Sequence, residues 1–311
     1  MLYPLLFKTI TKPKVWGKEA WLLSGYGDDQ SVVANGFLKG NTLGEALEIY
    51  MDELVGGKVY DRYGQLFPLL FKVIDAHDNL SIQVHPNDEQ AAAMQSDGDV
   101  AQLGKTEMWV VTKAHKDASI VLGFARQTSA EEVNNSLSAN TVMDLLQVVP
   151  VKKDDVALIP AGTVHALRKG TQVVEIQETS DITFRLYDYN RPGTDGRLRE
   201  LHIPQALQVL HYEAMPQPLI QQKDTRPVTE LVNDPHFTTN RLRFDQPLQR
   251  DYARYDTFAV YVCLNGAAEI EYEGGSVPLK AMQTCLIPAS LPDIRIVPKG
   301  ECDILETLCN V

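Results

Sequence analysis

The chain reads as a mainly β protein: a barrel or double-sheet jelly roll with helical insertions, followed by a second, degenerate β unit. Three observations predict this. Short apolar runs of strand length recur along the whole sequence, separated by turn residues. Helical patterning is confined to three interruptions, at about 41–56, 87–95 and 129–149. An internal echo is also present: Ala157-Leu-Ile-Pro-Ala-Gly-Thr-Val-His returns as Cys285-Leu-Ile-Pro-Ala-Ser-Leu-Pro, without a histidine at the matching place. The 311 residues suffice for two units. The expected division is 1–227, a working barrel, and 228–311, its degenerate copy.

Residues 1–39 read as short strands and turns around the step Trp16-Gly17. From Asn41 to Leu54 the apolar residues fall at mixed helical spacing, with Asn41 or Thr42 as the cap. Gly56-Gly57 then reads as a turn. Phe67-Pro-Leu-Leu-Phe-Lys-Val-Ile is an apolar strand, and Leu80-Ser-Ile-Gln-Val-His is a second one, ended by Pro86. Asn87 to Met94 is helical in character, capped by Asn87 or Asp88. Strands resume at Gly104-Lys-Thr-Glu-Met-Trp and at Ala118-Ser-Ile-Val-Leu-Gly-Phe. Ser129-Ala-Glu-Glu opens the third helical stretch in the manner of a capping box. Strand patterns return from Val156 to Arg191. Residues 216–227, rich in Pro and Gln, read as a linker, and 228–311 is again short strands and turns.

Composition narrows the function classes. A formal charge of −12 argues against a nucleic-acid partner, which needs a basic footprint. An anionic ligand would need a pocket that concentrates positive charge against this global field. No segment approaches the roughly 20 apolar residues of a membrane helix. The start, Met1-Leu-Tyr-Pro, has neither the basic region nor the cleavage site of a signal peptide and reads as a strand entry. Cys263, Cys285, Cys302 and Cys309 are widely spaced and form no CxxC pair, as expected of buried thiols in a reducing cytoplasm. Oligomeric state is not legible from one chain.

Four positions carry metal-ligand chemistry. Gln83 and His85 are two apart on a strand and so share a face. Lys105 and Glu107 repeat that spacing, and His165 follows a Pro-Ala-Gly turn. Each alone is an ordinary residue; a lone histidine at a strand end is usually just hydrogen-bonded. Together, two imidazoles, a carboxylate and an amide oxygen form a nitrogen–oxygen set suited to Zn²⁺, and also to Mn²⁺, Fe²⁺ or Co²⁺. The pattern Pro-x-Gly-x-x-His at 160–165 has the shape of the second metal motif of the cupin superfamily.

Ser81-Ile-Gln-Val-His-Pro-Asn-Asp, Gly104-Lys-Thr-Glu-Met-Trp, Ile159-Pro-Ala-Gly-Thr-Val-His-Ala and Glu175 through Arg185 occur in one order. In that combination the chain closely resembles the type I mannose-6-phosphate isomerases, in their short bacterial form. The resemblance implies a cupin barrel and one divalent metal, zinc first, on Gln83, His85, Glu107 and His165. It implies an active-site lysine at Lys105, a catalytic arginine at Arg185, and acidic residues at Glu175 and Asp181. Either acid is a candidate base. Ser81 is a weaker candidate, for a contact with the phosphate of the substrate, a small anionic sugar phosphate, or equally a strand-end hydroxyl that caps backbone. The implied reaction is aldose–ketose isomerisation of mannose 6-phosphate and fructose 6-phosphate through an enediolate. The segment after Arg185, Leu186-Tyr-Asp-Tyr-Asn-Arg-Pro, departs from the longer members of the family. Residues 86–104 place Glu107 further beyond His85 than ordinary cupins do. Two other readings of the scaffold remain: an iron-dependent cupin oxygenase, which uses two histidines and a carboxylate, and a non-catalytic sugar-binding module. Trp109 reads as core or pocket wall. Arg191, Arg197 and Arg199 could help bind a phosphate, although charged loop residues are usually just solvated, and His77, His115, His202, His211 and His236 read as surface or structural.

Overall fold

The structure, a computed structural model, describes residues 1–94, 102–193, 195–216 and 218–311. It gathers into two compact units, each discontinuous in sequence. One comprises Thr11–Ala20 and Phe71–Gln221, the other Met1–Ile10, Trp21–Leu70 and Gln222–Val311. The expected division at 227/228 is a single cut; these units cut near 221 and also assign residues 1–10 and 21–70 with the C-terminal strands.

In the unit around 71–221, one sheet runs in the order Leu146–Pro150, Ser119–Phe124, His165–Leu167, Ile82–Val84, Phe184–Tyr187. In the second sheet, Val156–Ile159 and Thr171–Glu178 flank Glu107–Ala114 as antiparallel neighbours. Valine or isoleucine recurs in most of these strands, where branched side chains pack well on a pleated surface. Their apolar faces form two clusters, one around Trp109, Ile120 and Leu167, the other around Val84, Phe124 and Leu186.

The C-terminal unit repeats this topology. Ala259–Asn265 is flanked by Thr284–Ile287 and Cys302–Cys309. A second sheet runs Leu248–Asp251, Asp293–Pro298, Ala267–Tyr272, Gly275–Lys280. Registers align the two copies. Glu107 lies opposite Ile159 and Gln177, whereas Ala259 lies opposite Ile287 and Leu308. The histidine six residues after Ile159 is matched by Asp293, six after Ile287. Glu175, opposite Trp109, is matched by Glu306, opposite Tyr261. In the second copy Glu306 is fully buried and saturated by protein groups: Arg250 grips both oxygens at 2.7 Å, Asn240 donates at 2.9 Å, and Tyr252 donates as well.

The helical insertions follow their caps, with corrections. Thr42 and Glu45 form a reciprocal capping box before the helix Leu43–Val55, and Asn87 and Gln90 form one before Asp88–Ala93. Residue 95, the expected end of that second helix, lies outside the described residues. The third stretch is not one helix over 129–149. Ser129 caps Ala130–Ser138, Asn140 then turns left-handed at φ 59°, and a short 3₁₀ turn leads into the strand Leu146–Pro150. Val148, Val149 and Pro150 explain the change: branched residues favour strand pairing and proline cannot continue a helix. Two helices escape the sequence reading. Gly57–Tyr63 starts where the sequence predicts a turn, because Asp256, 199 positions away, accepts from the Gly57 and Lys58 N–H groups at 2.8 and 3.0 Å. Ile203–Val209 begins with Pro204 in its first turn.

Candidate active site

The short strand Ile82–Val84 organises the site. Gln83 lies opposite His165 on one neighbouring strand and opposite Arg185 on the other. His85 follows directly. The turn after Ile159 closes beneath it, where Gly162, at φ 84°, donates its N–H to the His85 carbonyl at 2.8 Å. Glu107 opens its own strand on the facing sheet. Residues from four strand regions thus meet inside one barrel.

His85, Glu107 and His165 present one ligand atom each within 4.8 Å of one another, and all three are buried. Both imidazoles turn Nδ1 to a backbone carbonyl, His85 to Ile182 at 2.7 Å and His165 to Thr163 at 2.8 Å. A carbonyl only accepts, so each Nδ1 carries the proton and each Nε2 offers its lone pair inward. Burial holds both rings below the usual imidazole range, so both are neutral at physiological pH; for His85, Lys105 adds to the effect. The Nε2 atoms lie 3.6 and 3.3 Å from the Glu107 oxygens. Lys105 Nζ stands 2.7 Å from one of those buried oxygens as its charge partner, and no other hydrogen bond reaches the carboxylate among the described residues. Two inward lone pairs and a buried carboxylate within 4.8 Å of one another fit a divalent cation. The Gln83 amide adjoins His165 Nε2 at 3.2 Å, where a half-turn of the amide presents its oxygen.

Beside this cluster a cavity of about 250 Å³ is lined by Gln83, Lys105, Ser81, Glu175, Asp181 and Arg185, all singled out from sequence. Glu175 is buried. It accepts from the Trp109 indole at 2.9 Å, and Lys72 stands 3.3 Å from its other oxygen. Burial alone would raise its pKa, but Lys105 and Lys72 outweigh that and hold it below the usual carboxylate range. Burial likewise works against the Lys105 charge, yet Glu107 and Glu175 raise its pKa above the ordinary lysine value. Asp181 is exposed at the cavity edge.

Sequence reading misses part of the wall. Lys72, buried within an apolar strand, donates to Gln177 at 2.7 Å besides facing Glu175. A lysine inside Leu-Leu-Phe-Lys-Val-Ile is itself the signal that could have found it. Lys14, Glu19 and Arg199 also line the cavity. Trp109, read as core or wall, holds a carboxylate. His202 Nδ1 accepts from the Arg185 N–H at 3.2 Å, so it supports that strand.

A buried nitrogen–oxygen ligand set on the inward strands of a β barrel, with cationic groups around the adjoining cavity, defines a metal-binding enzyme of the cupin class. A family model, phosphomannose isomerase type I catalytic domain, matches residues 8–105. The mannose-6-phosphate isomerase ManA of Bacillus subtilis is 32% identical, over 96% of this chain and 97% of its own length. A mannose-6-phosphate isomerase of Streptococcus mutans is 36% identical, over 76% and 78%. A crystal structure of the Bacillus subtilis enzyme matches with a TM-score of 0.85 at 28% identity, covering 98% of this chain and 99% of that one. A zinc-bound mannose 6-phosphate isomerase shares the fold at 15% identity, with a TM-score of 0.78. The chain belongs to the type I mannose-6-phosphate isomerase family.

Proposed function

We propose that the chain interconverts mannose 6-phosphate and fructose 6-phosphate by moving a proton between neighbouring carbons of the open-chain sugar. The observation that carries this reading is the buried Glu107 carboxylate between two inward-facing, neutral imidazoles, beside a cavity holding an ionised Glu175. His85, Glu107 and His165, with Gln83, would hold one divalent cation, with zinc as our assignment. That cation supplies Lewis-acid stabilisation of negative charge on the sugar's carbonyl oxygen.

The remaining work falls to the chain's own groups. Glu175 takes the proton and returns it to the adjacent carbon; Trp109 fixes one oxygen and leaves the other toward Lys72 and the cavity. Arg185 faces the developing charge with preorganised N–H donors. Lys105 binds substrate oxygens, as does Ser81 more peripherally. Asp181 orders hydroxyls at the cavity edge. We assign the chemistry to the barrel within 1–227 and treat 228–311 as its non-catalytic copy, since Ala259 and Asp293 stand where Glu107 and His165 would be. The four free, buried cysteines support a reducing, cytoplasmic setting. Among the described residues no helix is long and apolar enough to cross a membrane.

A coupled assay of mannose 6-phosphate conversion, run with metal-loaded and chelator-treated protein, tests the proposal. Turnover that disappears with the metal and returns on its readdition is expected. Stoichiometric metal without turnover would leave a binding module, and oxygen consumption would leave an oxygenase.

A further inference from the structure

Glu175 and Gln177 lie two apart on the strand Thr171–Glu178, so both side chains point to one face. Gln177 is fully buried and stands outside the cavity wall. Its amide is committed on both sides. Nε2 donates to the Glu178 carbonyl and to the Ser180 carbonyl, each at 2.8 Å. Those oxygens only accept, so the amide's orientation is fixed and its oxygen must face the other way. There Lys72, on the neighbouring strand Leu69–Ala76, donates to Oε1 at 2.7 Å. Lys72 is buried, lines the cavity and stands 3.3 Å from Glu175 as its charge partner. The carbonyls that hold the amide belong to a turn that is itself anchored: Thr106 donates its N–H to the Glu178 carboxylate at 2.7 Å, and Glu178 donates its N–H to the Thr106 carbonyl at 3.1 Å.

A buried ammonium is costly unless its N–H groups meet acceptors. The two acceptors beside Lys72 differ in kind. The Glu175 carboxylate loses its charge when it takes a proton from the sugar and regains it when the proton goes to the neighbouring carbon. The Gln177 amide oxygen keeps the same partial charge throughout. With the amide in place, the ammonium retains a fixed partner while Glu175 is neutral and stays where the returning carboxylate needs it. Lys72 and Gln177 keep all their own protons in this cycle.

We propose that Gln177 is a positioning residue for the proton transfer, holding the Lys72 ammonium against Glu175 while that carboxylate is protonated and deprotonated. The assignment rests on the isomerase reading and deepens it. Gln177 acts only through Lys72, and the anchored turn serves to aim its amide.

Steady-state kinetics of mannose 6-phosphate conversion by the zinc-loaded full chain test this, with metal content and melting temperature recorded for each variant. Gln177→Met, similar in volume and without the amide, should lower kcat about 10- to 100-fold, the span of one hydrogen bond to a charged group. KM should stay within about threefold and metal should stay stoichiometric, as for an interaction that serves the transition state. Lys72→Met should lower kcat at least as far. The cycle between the two is decisive. The double variant should lie within about threefold of Lys72→Met alone, because the amide then has no ammonium to hold. Gln172→Met, on the same strand and outside the cavity wall, should match the parent. If Gln177→Met fails to fold, Gln177→Asn, which keeps an amide one methylene short of Lys72, takes its place in the cycle with the same expectation. Parental kcat in a folded Gln177 variant, or losses that multiply in the double variant, overturns the assignment. Absence of turnover in the zinc-loaded parent instead overturns the isomerase reading, and the assignment falls with it.

Discussion

At the residue scale, the proposed roles separate groups that would hold the cation from groups that would act on substrate, and substitutions should separate them too. His165 is fully buried, with its Nδ1 proton committed to Thr163. His165→Ala is therefore expected to lose both bound metal and turnover. Arg185→Ala should keep near-stoichiometric metal while kcat falls about 100-fold or more, the scale of a removed charge-stabilising donor. Elemental analysis beside the coupled assay checks both, and full metal retention in His165→Ala would show the ligand set to be wrong. Trp109 offers a finer test. Trp109→Phe preserves a large buried ring but removes the N–H that Glu175 accepts, leaving a buried carboxylate oxygen short of a donor at a cost of about 1–3 kcal/mol. A hydrogen bond to the charged form lowers a carboxyl pKa, so its loss raises that of Glu175. The ionised base is then lost at higher pH as solutions are acidified, and the acid limb of the kcat profile should move toward neutrality.

At the element scale, close backbone approach sets what the strands tolerate. Gly17 takes φ 147°, and a Cβ there would stand 2.1 Å from the Asp75 carbonyl oxygen. Gly17→Ala should cost at least about 1–3 kcal/mol through strain and displacement of the neighbouring strand, seen as a lower urea midpoint at unchanged slope. The helical insertions show where local chemistry suffices and where it does not. Thr42 with Glu45, and Asn87 with Gln90, cap their helices from within four residues, so their starts are readable. Gly57–Tyr63 owes its start to Asp256, and no window around Gly56-Gly57 contains that carboxylate. The strand at Leu146–Pro150 is hidden by the helix before it. Its identity depends on pairing with Ser119–Phe124, a partner that sequence periodicity does not see.

At the scale of the whole molecule, the two barrels share a topology and differ in what neutralises the buried acid. In the first, Glu175 takes the Trp109 N–H and faces Lys72 at the cavity wall; in the second, at the matching position, Arg250 and its neighbours saturate Glu306. Arg250→Met would strip that buried carboxylate of its charge partner and should destabilise the fold by about 3–5 kcal/mol without lowering metal content. Calorimetry with elemental analysis reads both. Removing the cation by dialysis against a chelator should do the converse. Turnover is abolished and the melting temperature falls, because a ligand bound only by the native state stabilises it by mass action. Readdition of zinc should restore both.

Sequence alone determined the β character, the echoed second unit and which side chains share a face, because these reside in local patterns: strand-length apolar runs, an echoed turn, and Gln-x-His and Lys-x-Glu spacings. The tertiary structure decided which charges meet. Lys72 and Trp109 are ordinary strand residues until Glu175, on another strand, comes within reach of both. Arg199 reads from sequence as either a phosphate contact or a solvated loop charge, and only the fold, with Asp188 holding its guanidinium, sets it in the cavity wall. Electrostatic partnership depends on distance through space, and a linear sequence encodes that distance only through the fold.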